Sequence, residues 1–218
     1  MEVTPNGTLL AQPAATRMLG VLFSWLLHPL LLIVWITLYL LYGNRTVFLG
    51  IAPDDRLLVF LRIFSTSVFL PLVTVFLLKG LGFVQSIQLR TQKERIVPIV
   101  ACITFFFWSF YVSKQLNDPL PLKAFLLGLF ITASVSLLQN NYMKISLHTL
   151  GAGGLIALFL LLLFTNQLDS GWSLVLALAA GGLIGTSRLL TGSHRAVEIY
   201  AGYITGFVVQ LIAWWILA

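Results

Sequence analysis

The sequence is short of charge and of cysteine. Only 9% of its residues are charged, against about a quarter in soluble domains, which excludes an ordinary water-soluble fold. The single cysteine, Cys102, lies in an apolar run, so no disulfide framework is available. No internal repeat and no low-complexity linker interrupts the chain, and one domain over residues 1–218 is expected. Histidine, cysteine and carboxylates do not recur at the spacings of a zinc site, so neither a metal nor a cofactor is expected. The N-terminal stretch MEVTPNGTLLAQPAATRM, residues 1–18, is a polar segment without a short apolar core before a cleavage site. The first span is therefore expected to direct insertion, with no cleaved signal.

What the sequence has instead is apolar length. Hydrophobic residues make up 59% of the chain and mean hydropathy is +0.97. A membrane-crossing helix needs roughly 20 mostly apolar residues. Runs of about that length lie at Leu19–Tyr42, Leu57–Leu78, Ile96–Val112, Leu122–Leu138, Leu147–Phe164, Trp172–Leu190 and Ile199–Leu217. The expected fold is all-α, a polytopic transmembrane bundle of about six to seven helices in contact with membrane lipids. The net charge of +6 and pI near 9.8 then read as loop cations beside lipid headgroups, and no nucleic-acid partner is expected. Small residues cluster in GAGG (Gly151–Gly154) and AAGGLIG (Ala179–Gly185), where helices are expected to approach closely. His28-Pro29 falls in the first half of the first span, and His28 reads as structural.

Parity organises the polar residues. If all seven runs cross, the segments 79–95, 140–147 and 187–196 share one face. That face gathers Lys93, Arg95, Lys144, His148, Arg188, His194 and Arg195. The opposite face holds 43–56, 113–121 and 165–171. Polar groups at membrane depth are costly, and by default suggest function. Glu198 lies four residues after His194, a spacing that puts both on one helix face. A carboxylate there can fix an imidazole tautomer and stabilise its cation. The alternative is a solvated carboxylate at a helix N-terminus. Arg188 is suited to bidentate phosphate binding, or to pairing with lipid headgroups. His148 and the charged flank Lys93-Glu94-Arg95 each have a similarly plain structural reading.

Together these residues say more than singly. Ser187, Arg188, His194 and Glu198 spell S-R-x5-H-x3-E. A chance S-R-x5-H is expected on the order of 0.01 times in such a chain. The pattern resembles the third signature, S-R-x5-H-x3-D, of the type 2 phosphatidic acid phosphatase superfamily. Ile145-Ser146-Leu147-His148 matches the second signature, P-S-G-H, at its serine and histidine. The first signature, K-x6-R-P, has a weaker counterpart in KERIVP, Lys93–Pro98. There Arg95 is the arginine, Gln88 stands at the lysine position, and Lys93 or Arg90 is a substitute. The resemblance covers roughly residues 88–210, a phosphatase-like core.

The resemblance implies a divergent member of that family. It implies a lipid phosphatase, hydrolysing a phosphate or diphosphate monoester of a lipid through a phosphohistidine. His194 would be the nucleophile, Glu198 its orienting acid, and His148 the general acid. Arg188, Arg95, Lys93, Lys144, Ser146 and Ser187 would hold the phosphate. The family location is the outer face of a bacterial inner membrane. Lysine and arginine counts, taken by the positive-inside rule, place the same face in the cytoplasm. Glutamate replaces the family's aspartate, and the proline and glycine of the second signature are missing. A non-catalytic phospholipid-headgroup binder, or a phosphotransferase on the same fold, is therefore an alternative.

Overall fold

The computed structural model describes residues 14–86, 89 and 91–218. The expectations placed on residues 1–13, Gln88 and Arg90 lie outside the described residues. Those described form helices and no strand. In chain order they are α1 (Ala14–Leu26), α2 (Pro29–Leu38), α3 (Pro53–Phe64), α4 (Leu70–Gly80), α5 (Gln92–Gln115), α6 (Leu120–Asn140), α7 (Leu147–Phe164), α8 (Gly171–Leu190) and α9 (Ala196–Leu217). A π turn, Tyr39–Gly43, extends α2, and a second, Ser65–Phe69, joins α3 to α4 ahead of Pro71. Six helices are long and apolar enough to cross a membrane, and seven if the bent pair 18–26 and 29–43 is one span. Leu58, Trp108, Leu176 and Trp215 are among many large apolar side chains on the outside. In a chain of this hydropathy that surface faces lipid. The protein is a multi-pass integral membrane protein.

The first span departs from the continuous helix that its composition suggests. Pro29 disfavours helical geometry in the residue before it. His28 accordingly takes φ −61 and ψ 142, and the two halves meet at a bend of 51°. Pro29 then opens α2, where its missing N–H costs nothing. Elsewhere the helices extend past their apolar runs. α5 begins at Gln92 inside the charged flank, because Thr91 and Glu94 form a capping box.

Helix α9 packs along both α7 and α6 at the centre of the bundle. Close approach depends on the small residues in these helices. A Cβ added at Gly206 would overlap the Leu150 carbonyl, and one at Gly153 the Tyr203 carbonyl. Side chains bridge α6 to α9 as well, with Gln139 donating to Thr205 Oγ1 at 2.8 Å and Gln210 to the Ala124 carbonyl at 3.2 Å. The GAGG cluster therefore serves helix packing, as expected. α8 packs on α7, and α1 packs on α8. Loop contacts agree with the predicted parity. Asn44 and Thr46 both donate to the Gln167 carbonyl on one face. On the other, Gln92 and Asn140 exchange side-chain-to-backbone bonds.

The packing predicts a sharp contrast between two glycines. Gly206→Leu forces α7 and α9 apart and should lower the thermal midpoint in detergent, consistent with an overpacking cost of about 1–3 kcal/mol or more. Gly182→Ala, where an added Cβ meets nothing within 4 Å, should leave the midpoint unchanged or raise it slightly.

Candidate active site

The site is built around the short loop before α7. Three groups from two other helices and their flanks hold it. Arg95 of α5, 6% exposed, donates from Nη1 to the Ile145 carbonyl at 2.9 Å. His194 places Nδ1 3.0 Å from the Lys144 carbonyl. The Ser146 N–H donates to the Glu198 carbonyl at 3.4 Å, tying the start of α7 to the first turn of α9. Arg95 also donates from Nε to the Leu89 carbonyl at 3.0 Å. Its Nε and Nη1 are thus engaged with backbone, and Nη2 is what it has left for a ligand.

His194 and Glu198 meet, but not on one helix face. α9 begins at Ala196 with Arg195 as its cap, so His194 lies outside the helix. Glu198 reaches back over the helix N-terminus. Its Oε2 accepts from the Arg195 N–H at 3.2 Å and lies 3.1 Å from His194 Nδ1. The carboxylate is buried, at 6% exposure, and is not the solvated dipole partner of the alternative reading. Both neighbours of His194 Nδ1, the Lys144 carbonyl and the carboxylate, are acceptors. The ring must therefore carry its proton on Nδ1, which leaves a lone pair on Nε2.

His148, at the second position of α7, has the other tautomer. Its Nε2 lies 3.2 Å from the Ser24 carbonyl. That oxygen is free because the break at His28 leaves it without its helical partner four residues on. A carbonyl only accepts, so Nε2 carries the proton and Nδ1 is left as the working nitrogen. The charges of Arg188 and His194 both act on His148.

Arg188 closes the cluster from the last turn of α8. It is 8% exposed, its Nε is buried without a partner, and among the described residues its guanidinium makes no hydrogen bond or ion pair. The remaining expected site residues sort differently. Lys144 is half-buried beside Arg95 and Glu198. Burial, aided by Arg95 and opposed by Glu198, lowers its ammonium below the usual value. The Ser146 hydroxyl caps α7 by accepting from the Thr149 N–H. The Ser187 hydroxyl donates to the Ile184 carbonyl at 2.7 Å and accepts from Ser24. Both serines are buried and act on the scaffold. Lys93 is exposed on the first turn of α5. Among the described residues no group of three or more histidine, cysteine or carboxylate side chains is placed to hold a metal.

Two contributors were not legible as site residues, Ser24 and His28. The His28 ring packs edge-on to His148, with centroids 5.3 Å apart. The only local signal was the His-Pro pair itself. Next to it, at Pro29, a small apolar crevice of about 40 Å³ runs between α2, α6 and α7, lined by Pro29, Leu32, Leu129, Gly151 and Gly154 among others, with Gln210 at one side. No protein-family model, curated protein or solved structure matches the chain.

The electrostatics of His194 are testable. Burial lowers its imidazole below 6.5, its hydrogen bond with Glu198 opposes this, and Arg95 and Lys144 lower it further. The ring is then neutral at pH 7. An NMR titration of labelled histidine should place the His194 midpoint below 6.5, and Glu198→Gln should move it lower still. The folded protein takes up this proton less readily than the unfolded chain, so stability is unaffected above about pH 6.5 and declines as pH falls below it. A His194 midpoint above 6.5 would contradict the arrangement.

Proposed function

We propose that the protein is an integral membrane phosphatase acting on the phosphate or diphosphate monoester of a lipid, a divergent relative of the type 2 phosphatidic acid phosphatases. The observation that carries this is Arg188, a buried guanidinium without a counter-charge among the described residues, whose field acts on His148, as does that of His194 with its free Nε2 lone pair. Burying a charge without a partner is costly. An anionic ligand would offset that cost, and a planar guanidinium suits phosphoryl oxygens. The position of the cluster at the membrane face of a multi-pass bundle supports a substrate with a hydrocarbon tail.

In this reading His194 Nε2 attacks phosphorus as the bond to the leaving oxygen breaks, giving a phosphohistidine. Glu198 and the Lys144 carbonyl stabilise the proton on Nδ1 as the ring gains positive charge. His148, protonated at Nδ1 in the substrate complex, gives that proton to the leaving oxygen. Water then attacks phosphorus, the P–N bond breaks, and His148 takes the water's proton. Arg188, with Lys144 and Arg95 Nη2, neutralises charge on the equatorial oxygens. Phosphoryl transfer asks chiefly for such positioning and charge stabilisation.

One observation favours a second reading, a headgroup binder without turnover. The N–H groups of Ser146 and Thr149 bond within the protein, so this loop offers phosphate fewer amides than a glycine-containing one. A phosphate-release assay on purified protein over a panel of lipid phosphates separates the two. Hydrolysis should be lost in His194→Ala by at least about a hundredfold and weakened in Arg188→Lys. Acid-labile phosphate should be trapped on His194 in the wild type. Equal release by wild type and His194→Ala would sink the phosphatase reading, and a new phospholipid with little free phosphate would mean a transferase.

We place the site on the outer face of a bacterial inner membrane. Ser86→Cys and Ser193→Cys, each in a Cys102→Ala background, should then react with a membrane-impermeant maleimide added to intact cells. Labelling only after lysis would put the site in the cytoplasm.

A further inference from the structure

His28 has no part in the reaction just described, and its geometry gives it one. It sits at the break of the first span, where its Nδ1 accepts the Leu30 N–H at 3.3 Å and caps α2. A histidine with Nδ1 as acceptor carries its proton on Nε2. Protonating Nδ1 would set N–H against N–H, and would put a cation at the positive end of α2. The ring is thus a neutral donor with one N–H to offer. Its neighbours are the His148 ring, edge-on at an interplanar angle of 86°, and Arg188, whose charge acts on both histidines. Arg188 is buried and unpartnered among the described residues, which points to an anion at this spot independently of the helix end.

We propose that His28 is an additional phosphate-binding residue of the site, donating its Nε2–H to an oxygen of the phosphate group held by Arg188. The inference rests on the phosphate-site reading of Arg188. The cap fixes the ring before the ligand arrives, so the donor needs no reorganisation when charge develops on that oxygen. A neutral histidine held at a helix N-terminus is a suitable donor for this purpose, because it stays uncharged near neutral pH. The same residue stands where the polar site meets the apolar crevice, with Pro29 next to it in the crevice wall.

Two substitutions separate the donor from the cap. Asparagine at position 28 accepts the Leu30 N–H as a good N-cap, but its amide is too short to replace Nε2–H. Glutamine extends an amide N–H toward the Nε2 position and is the poorer cap. Inorganic phosphate is titrated calorimetrically into detergent-solubilised wild type, His28→Asn and His28→Gln, with thermal midpoints recorded alongside.

His28→Asn should keep the wild-type midpoint and bind phosphate about tenfold or more weakly, and His28→Gln should recover part of that affinity. In the release assay His28→Asn should lower kcat/KM for a short-chain lipid phosphate by a similar factor. Wild-type phosphate affinity in His28→Asn overturns the proposal, as does a wild type that binds no phosphate. A raised KM for the lipid with unchanged affinity for inorganic phosphate also overturns it, by placing the contact on the lipid body. Turnover reports separately. A wild type that binds phosphate through His28 yet hydrolyses no lipid removes the phosphatase reading and leaves this one, whereas hydrolysis insensitive to residue 28 does the reverse.

Discussion

The arrangement depends on one short loop whose backbone is held from several sides. Residues 144–146 give the Lys144 carbonyl to His194, the Ile145 carbonyl to Arg95, and the Ser146 N–H to the Glu198 carbonyl. Buried backbone groups must find partners, and here the partners are the residues that would do the chemistry or stand next to them. The same bonds that satisfy the loop therefore orient the imidazole and register α5, α7 and α9 at this face. Arg95 contributes to the site chiefly in this way. Two of its nitrogens hold carbonyls, and one remains for a ligand.

Backbone carbonyls and amides also set the three histidines, and each differently. His194 Nδ1 faces two acceptors, His148 Nε2 faces one, and His28 Nδ1 faces a donor. Each ring is thus left with a defined second nitrogen: a lone pair on His194, an exchangeable Nδ1 on His148, a neutral N–H on His28. A single proline underlies two of these. Pro29 breaks the first span, the break frees the Ser24 carbonyl for His148, and it turns His28 into the cap of α2. What reads locally as a tolerated helix defect is an element of the site.

In lipid, helices gain little from hydrophobic association, and close packing takes its place. Gly153, Gly202 and Gly206 bring α7 and α9 into backbone contact. This is why the Glu198 carbonyl can reach the Ser146 N–H at all. Packing at the bundle centre and geometry at the membrane face are therefore one problem. Along the first span the coupling runs through Ser24, which bonds to Ser187 on α8, 163 residues away in sequence.

The sequence by itself determined the class of the protein, its spans and their parity, because apolar length and the cost of burying polar backbone in lipid are local properties of composition. Local spacing also marked His194, Glu198 and Arg188, since all three lie within eleven consecutive residues, 188–198. Tertiary structure decided the rest. It started α9 at Ala196, so that Glu198 reaches His194 across a helix cap and not along a helix face. It assigned Ser146 and Ser187 to the scaffold, left Lys93 exposed, and took two nitrogens of Arg95 for the loop. It brought Ser24 and His28 to His148. The long-range outcomes turn on which carbonyls and N–H groups remain unpaired after the helices pack, and no window of sequence contains both partners of a bond such as Arg95 to Ile145 or His148 to Ser24.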